Sequence, residues 1–216
     1  NAKNGKPAFE MVLKMNIDLI ISDVMMPEMD GRTLCYKVRN NLASSHIPVI
    51  LLTALNSVQH KIEGLEYGAD DYIEKPFDIQ LLKVRVANLL TSMERLRKRF
   101  LDQPDEHPGE EIANKPDQEL MVKLHDLVKS RITQDDFTVK EMCRLAGMSR
   151  PVLYRKLKAY TGHSPQEYLI ILRLNHASGL FRGGKQSIKE VAYESGFSDP
   201  KYFSKCFKKH YGVSPT

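Results

Sequence analysis

"DLIISDVMMPEMDG", residues 18–31, is the stretch on which the reading of the fold turns. Leu19, Ile20 and Ile21 form a short, continuous apolar run of the kind that makes a parallel strand buried on both faces. The run stops at Asp23, and a loop of methionines, proline and glycine follows. In open α/β sheets the carboxyl ends of the strands form the rim where ligands and chemistry collect. An aspartate at such a place is either a turn-capping loop residue or a reactive carboxylate.

The same arrangement recurs downstream. "IPVILLT" at 47–53 and "DYIEK" at 71–75 read as two further strands. Helical spacing lies near Pro7–Met15, Arg32–Asn40 and Val58–Tyr67, and a longer helix starts after Asp78. Strand and helix in strict alternation imply right-handed βαβ units and a parallel sheet. The strands end in Asp23, Thr53 and Lys75, so a carboxylate, a hydroxyl and an ammonium are expected along one sheet edge.

In this order and at these separations, "DLIISDVMMPEMDG", "VILLTA" and "DYIEKPF" resemble the receiver domain of two-component response regulators, a flavodoxin-like fold. The resemblance implies that Asp23 is the phosphoacceptor and Thr53 the hydroxyl that moves toward the phosphoryl group. It further implies that Tyr72 is the aromatic switch, Lys75 the pairing cation, and the bond before Pro76 a cis peptide. Haloacid-dehalogenase phosphatases also use a strand-end aspartate, but they need a second one two positions on. Met25 stands there, so no enzyme is expected. The resemblance has a gap at the start. A receiver opens with a strand ending in an acidic pair that holds Mg²⁺, followed by a helix and a second strand. "NAKNGKPAFEMV" resembles the end of that second strand and the next helix. Of the metal site, the Asp23 carboxylate and the Met25 backbone carbonyl carry over, while Glu28 and Asp30 are loop residues that do not replace the pair. Three parallel strands would leave a long apolar edge, which proteins usually avoid. The expectation is therefore a piece of a longer chain, or an edge covered by another chain, with Mg²⁺ unbound and phosphorylation blocked in the chain as written.

Composition sets the outer bounds. The 216 residues suffice for two domains, and 42% hydrophobic with 27% charged residues indicates a soluble globular protein. No apolar run approaches 18 residues, which excludes a spanning helix and any membrane contact by this segment. Cys35, Cys143 and Cys206 are widely spaced and read as reduced thiols of a cytoplasmic protein. The seven histidines lack zinc-ligand spacing. Charge divides unevenly: residues 1–118 carry 15 basic and 18 acidic side chains, a net of −3, and residues 119–216 carry 17 and 9, a net of +8. Such a split suggests a basic module facing nucleic acid, joined to a module with another task.

Between the modules, Leu82, Val86, Leu89, Met93, Leu96 and Phe100 recur at spacings of four and three, an a/d seam about three heptads long. Leu82 to Leu89 are expected to pack under the sheet. Met93, Leu96 and Phe100 are expected to meet the same helix of a second copy in a homodimer. "DQPDEHPGEEIANKPD", 102–117, holds three prolines and six acidic residues and reads as a linker without a core.

Beyond residue 118 strand signals vanish and a repeat emerges. "TVKEMCRLAGMSRPVLYRKLKAYTGHSP" at 138–165 matches "SIKEVAYESGFSDPKYFSKCFKKHYGVSP" at 187–215, with an offset of 49 up to Ser149 and 50 from Leu153 onward. Thr138 with Glu141, and Ser187 with Glu190, read as capping boxes. Glycine turns follow at Gly147 and Gly196, then second helices capped near Ser149 and Ser198. This is a helix-turn-helix, twice. Leu153 and Leu157, and Phe203 and Phe207, should face inward at i, i+4. Arg150, Pro151, Tyr154, Arg155 and Lys158 in the first copy, and Lys201, Ser204, Lys205 and Lys208 in the second, should face a major groove. "RLNHASGLF", together with these two stretches, resembles the DNA-binding domain of AraC-type regulators. The resemblance implies a long central helix near Pro165–Phe181 and two recognition helices in successive major grooves.

The expected architecture is α/β followed by all-α: an incomplete flavodoxin-like parallel-sheet receiver with an extended last helix at 1–101, a linker at 102–118, and a two-fold helix-turn-helix domain at 119–216. The expected function is that of a two-component response regulator, or the carboxyl-terminal end of a hybrid two-component protein, a transcription factor whose promoter DNA binding is controlled through Asp23 by a histidine kinase domain in a separate or the same polypeptide. The alternative is a phosphate-accepting interaction module whose basic helices bind protein.

Overall fold

The computed structural model describes residues 1–54, 67–102, 112, 114–184 and 187–215. The chain divides into two compact units, Asn1–Arg95 and Leu96–Thr216.

In the first unit, helix α1 (Gly5–Lys14) precedes strand β1 (Ile20–Asp23), and α2 (Gly31–Arg39) leads to β2 (Val49–Thr53). After β3 (Asp71–Glu74) comes α3 (Ile79–Asp102). The described strands form one parallel sheet in the order β1-β2-β3. Its register sets Asp23 beside Leu52, and Thr53 beside Glu74. Asn4 and Asp30 cap α1 and α2 with side-chain oxygens, which satisfies amide groups a helix start leaves unpaired. Leu34, Cys35 and Val38 of α2 and Val12 of α1 then bury Val49 and Leu51 of the central strand. The helix expected over 58–67 lies, except for Tyr67, outside the described residues.

Two expectations here require correction. β1 is not buried on both faces: Ile21 is 44% exposed. Among the described residues β1 pairs with β2 alone, and its outer side opens on a groove of about 680 Å³ walled by Lys3, Met11, Ile17 and Met26. Nor does α3 pack as core. Leu82, Val86 and Leu89 are half-buried, and Ile79, Leu81, Val84 and Leu90 are exposed. An ion pair from Arg85 Nε to Asp71 Oδ2, 3.5 Å, ties α3 to β3 but leaves the leucines beside it in contact with water.

The second unit is helical in its described part: α4 (Lys115–Arg131), α5 (Val139–Ala146), α6 (Arg150–Thr161), α7 (Pro165–Arg182), α8 (Ile188–Glu194) and α9 (Pro200–Tyr211). One core gathers Met121, Leu124, Val128, Met142, Leu153 and Leu157. A second gathers Val191, Phe197, Phe203 and Phe207. The long helix α7 serves both, with Leu169 and Leu172 in the first and Leu174 and Ala177 in the second. Its start carries a complete reciprocal capping box, Ser164 with Glu167. Thr138 and Ser187 make the hydroxyl half of such a box, and the Glu141 carboxylate turns to Arg144.

The coreless linker over 102–118 is also corrected at its end. α4 begins at Lys115, capped by the Asn114 side chain, and Ile112 is buried in the first core. Asn before Lys-Pro-Asp is helix-start chemistry, which composition alone cannot tell from a linker. In the repeat, the one-residue slip falls in the second turn. Ser149 stands at the N-cap of α6, whereas Asp199, not Ser198, caps α9.

Candidate functional site

The carboxyl edge of the sheet brings together Asp23 and Lys75. Lys75 Nζ donates to Asp23 Oδ2, and the Met25 amide donates to Oδ1 at 3.1 Å. The Lys75 amide is itself held by the Thr53 carbonyl at 2.7 Å, which fixes the lysine at the end of the central strand. Thr53 is buried one position beyond Leu52, the residue in register with Asp23. Side chains of Asp23 and Lys75 remain 35% and 37% exposed, so a small solute can reach the pair. Burial pushes the Asp23 carboxyl upward, but the Lys75 hydrogen bond and the Met25 amide outweigh it and hold the acid below its ordinary value. The pair thus favours the ionised carboxylate. Tyr72 is half-buried, and burial pushes its hydroxyl up to about 12. The Lys75–Pro76 peptide is cis, as the resemblance implied.

Local backbone explains the placement. Gly31 opens α2 with its amide 3.0 Å from the Val24 carbonyl, and a Cβ there would strike the Asp23 carbonyl oxygen. Asp30 caps α2 through the Thr33 amide at 2.7 Å, and Glu28 pairs with Lys6 at 3.2 Å. Neither carboxylate is directed to Asp23. Among the described residues no group of three His, Cys, Asp or Glu could hold a metal. Asp23 and the Met25 carbonyl do not make a magnesium site by themselves.

In the second unit the faces of α6 and α9 separate as their periodicity requires. Leu153, Leu157, Phe203 and Phe207 are buried. Arg150, Tyr154, Lys158, Lys201, Lys205 and Lys208 are exposed, and Arg155 and Ser204 are half-buried. Two of these groups have local partners: Lys158 Nζ donates to the Gly162 carbonyl at 2.7 Å, and Ser204 Oγ to the Pro200 carbonyl at 2.9 Å. Of the α3 seam, Met93 is half-buried and Phe100 is described by its backbone. Leu96 packs on the first core of its own unit, a contact not foreseen from the heptad spacing.

Sequence reasoning missed one constellation. Lys156 turns inward and donates to Asp117 Oδ1 at 2.6 Å and Oδ2 at 2.7 Å, and the Tyr160 hydroxyl donates to Oδ2 at 2.6 Å. Both charged side chains are 0% exposed. Lys156 stands one turn before Tyr160 on α6, but within "RKLK" it reads as one more cation of the basic face.

No helix among the described residues is long and apolar enough to cross a membrane. The family profile described as "Response regulator receiver domain" matches residues 1–87, and one described as "Helix-turn-helix domain" matches 142–216. Histidine kinase P4 of Formosa agariphila is 39% identical over 215 residues, which is 100% of this chain and 16% of the relative. The DNA-binding dual master transcriptional regulator RpaA of Synechocystis is 40% identical over 95 residues, 44% of this chain and 39% of RpaA. The solved C-terminal domain of the response regulator yesN from Fusobacterium nucleatum is 27% identical, with a TM-score of 0.41 over 43% of this chain and 90% of that one. The chain thus spans well under half the length of these two curated relatives. With a receiver domain matched over 1–87 and an AraC-type helix-turn-helix domain over 142–216, the chain belongs to the response regulators.

Proposed function

We propose that this chain is the output end of a two-component regulator, in which a histidine kinase phosphorylates Asp23 and the two helix-turn-helix motifs bind promoter DNA. The observation that carries the reading is the half-exposed Asp23–Lys75 pair at a parallel-sheet edge, in one chain with two basic helix faces. An Asp23 oxygen attacks the phosphorus of a phosphohistidine. The new O–P bond forms as the N–P bond breaks, and the imidazole takes up a proton. Lys75 offsets charge on the equatorial oxygens and Thr53 offers its hydroxyl to one of them. No step is assigned to Mg²⁺. Tyr72 is the aromatic that rearranges with Thr53. A homodimer through the seam of Met93, Leu96 and Phe100 on α3 would raise DNA affinity through effective concentration. Light scattering that gives a monomer mass at tens of micromolar would count against the dimer.

DNA reading is assigned to Arg150, Tyr154 and Arg155 in α6 and to Lys201, Ser204 and Lys205 in α9. Lys158 and Lys208 are assigned to phosphates. Contact with six phosphates predicts that log affinity falls with log salt at a slope of about −5. Arg155→Ala should cost about 1–3 kcal/mol on a selected sequence, while Lys208→Ala weakens all sequences alike. Fluorescence anisotropy with selected and random duplexes measures both. A flat salt response would favour the protein-binding alternative, and equal Arg155→Ala losses on both duplexes would end its base-reading role.

A further inference from the structure

Within the second unit, Arg173 of the long helix α7 is 8% exposed, and its guanidinium donates to backbone carbonyls. Its Nε donates to the Ile132 carbonyl at 3.3 Å, and one Nη donates to the carbonyls of Gln134 at 2.5 Å and Phe137 at 3.2 Å. All three carbonyls belong to the segment between α4 and α5, which leads into the first helix-turn-helix. The turn of the second motif lies against the same guanidinium. Gly196 has φ 75°, and a Cβ there would run into the Ile132 carbonyl and stand 2.8 Å from Arg173 Nε and 3.1 Å from Cζ. The first motif's own turn shows the contrast: at Gly147 a Cβ would meet nothing within 4 Å.

We infer that Arg173 and the bare backbone of Gly196 form a spacing lock, which fixes the separation and rotation of the two DNA-facing helices and so selects the distance between the DNA half-sites. The inference rests on the DNA-binding reading proposed above. Its logic is geometric. A planar guanidinium with several donors in fixed directions can hold one segment by its carbonyls while its flat side abuts another. A lysine gathers its three donors on one atom and offers no plane, so it cannot hold carbonyls spread along a segment and also present a flat side to another. Two recognition helices that dock in successive grooves translate a change in their separation directly into a change in preferred half-site spacing. Arg173 touches no DNA in this scheme; it is a positioning residue.

The test uses duplexes selected by the full chain from a random-sequence pool, then remade with one base pair added or removed between the half-sites. For the unmodified chain, either change should cost about tenfold or more in affinity. Arg173→Lys and Gly196→Ala, checked for a cooperative circular-dichroism melt, should bind the three spacings nearly alike while keeping their affinity for random duplex. Folded variants that keep the full spacing preference would overturn the lock. So would an unmodified chain that selects a sequence yet ignores its spacing, or the loss of cooperative melting in both variants, which would assign the pair to folding. A chain that selects no sequence at all would remove the DNA reading and this inference with it.

Discussion

Each unit of the molecule holds an aspartate–lysine pair, and the two pairs are opposites. Asp23 and Lys75 meet at a strand edge with about a third of each side chain in water. Asp117 and Lys156 meet between α4 and α6 with none. In the open pair Asp23 Oδ1 takes the Met25 amide and Oδ2 the Lys75 ammonium, and water still reaches the carboxylate. In the sealed pair both oxygens take the ammonium and one also takes the Tyr160 hydroxyl, and no solute can enter. The same two residue types form a pair open to solvent in one place and a sealed structural pin in the other. What separates them is water.

That contrast can be broken most sharply at the sealed pair. Lys156→Met strands a buried carboxylate, and the expected loss is roughly 3–5 kcal/mol of unfolding free energy, read as a lower urea midpoint of the second unit. Replacing the set, Asp117→Leu with Lys156→Met and Tyr160→Phe, removes the three mutually bonded side-chain groups together and should recover most of that loss. A triple variant as unstable as the single one would mean that packing shape, not the unpaired charge, sets the cost. Tyr160→Phe alone ranks next, at about 1.5–3 kcal/mol, because it deletes one hydrogen bond to a charged acceptor and leaves the ion pair intact.

The two pairs also differ in how far the sequence disclosed them. Asp23 and Lys75 were legible because each closes an apolar strand, and a parallel sheet gathers its carboxyl ends. Register then did the rest, through the Thr53 carbonyl that holds the Lys75 amide. Asp117 and Lys156 were hidden by their neighbours. Asp117 ends a proline-rich acidic run that reads as linker, and Lys156 lies in "RKLK", which reads as basic surface. Burial of a charge depends on a partner distant in sequence, here 39 positions away, and periodicity along one helix does not carry that information. The exposure of α3 was missed for a related reason. An a/d stripe shows that a helix has an apolar face, and tertiary neighbours decide whether that face is covered.

The smallest effect on stability, and the one that sharpens the comparison most, is expected at the open pair. Lys75→Met should change unfolding free energy by no more than about 1 kcal/mol, because a water-exposed ion pair gains little. Its signature is in titration. Asp23 has its pKa lowered in the folded chain, so its contribution to stability is present above the unfolded value and is lost as pH falls through the folded one. Removing the ammonium leaves burial opposed by the Met25 and Val24 amides alone, so the Asp23 pKa rises and the acid limb of the stability profile becomes shallower. Carboxyl carbon shifts of Asp23, followed by NMR from neutral to acid pH in both chains, read this directly. An unchanged midpoint would show that Lys75 does not act on the Asp23 carboxylate, and the proposed role of that lysine in phosphoryl transfer would lose its electrostatic basis.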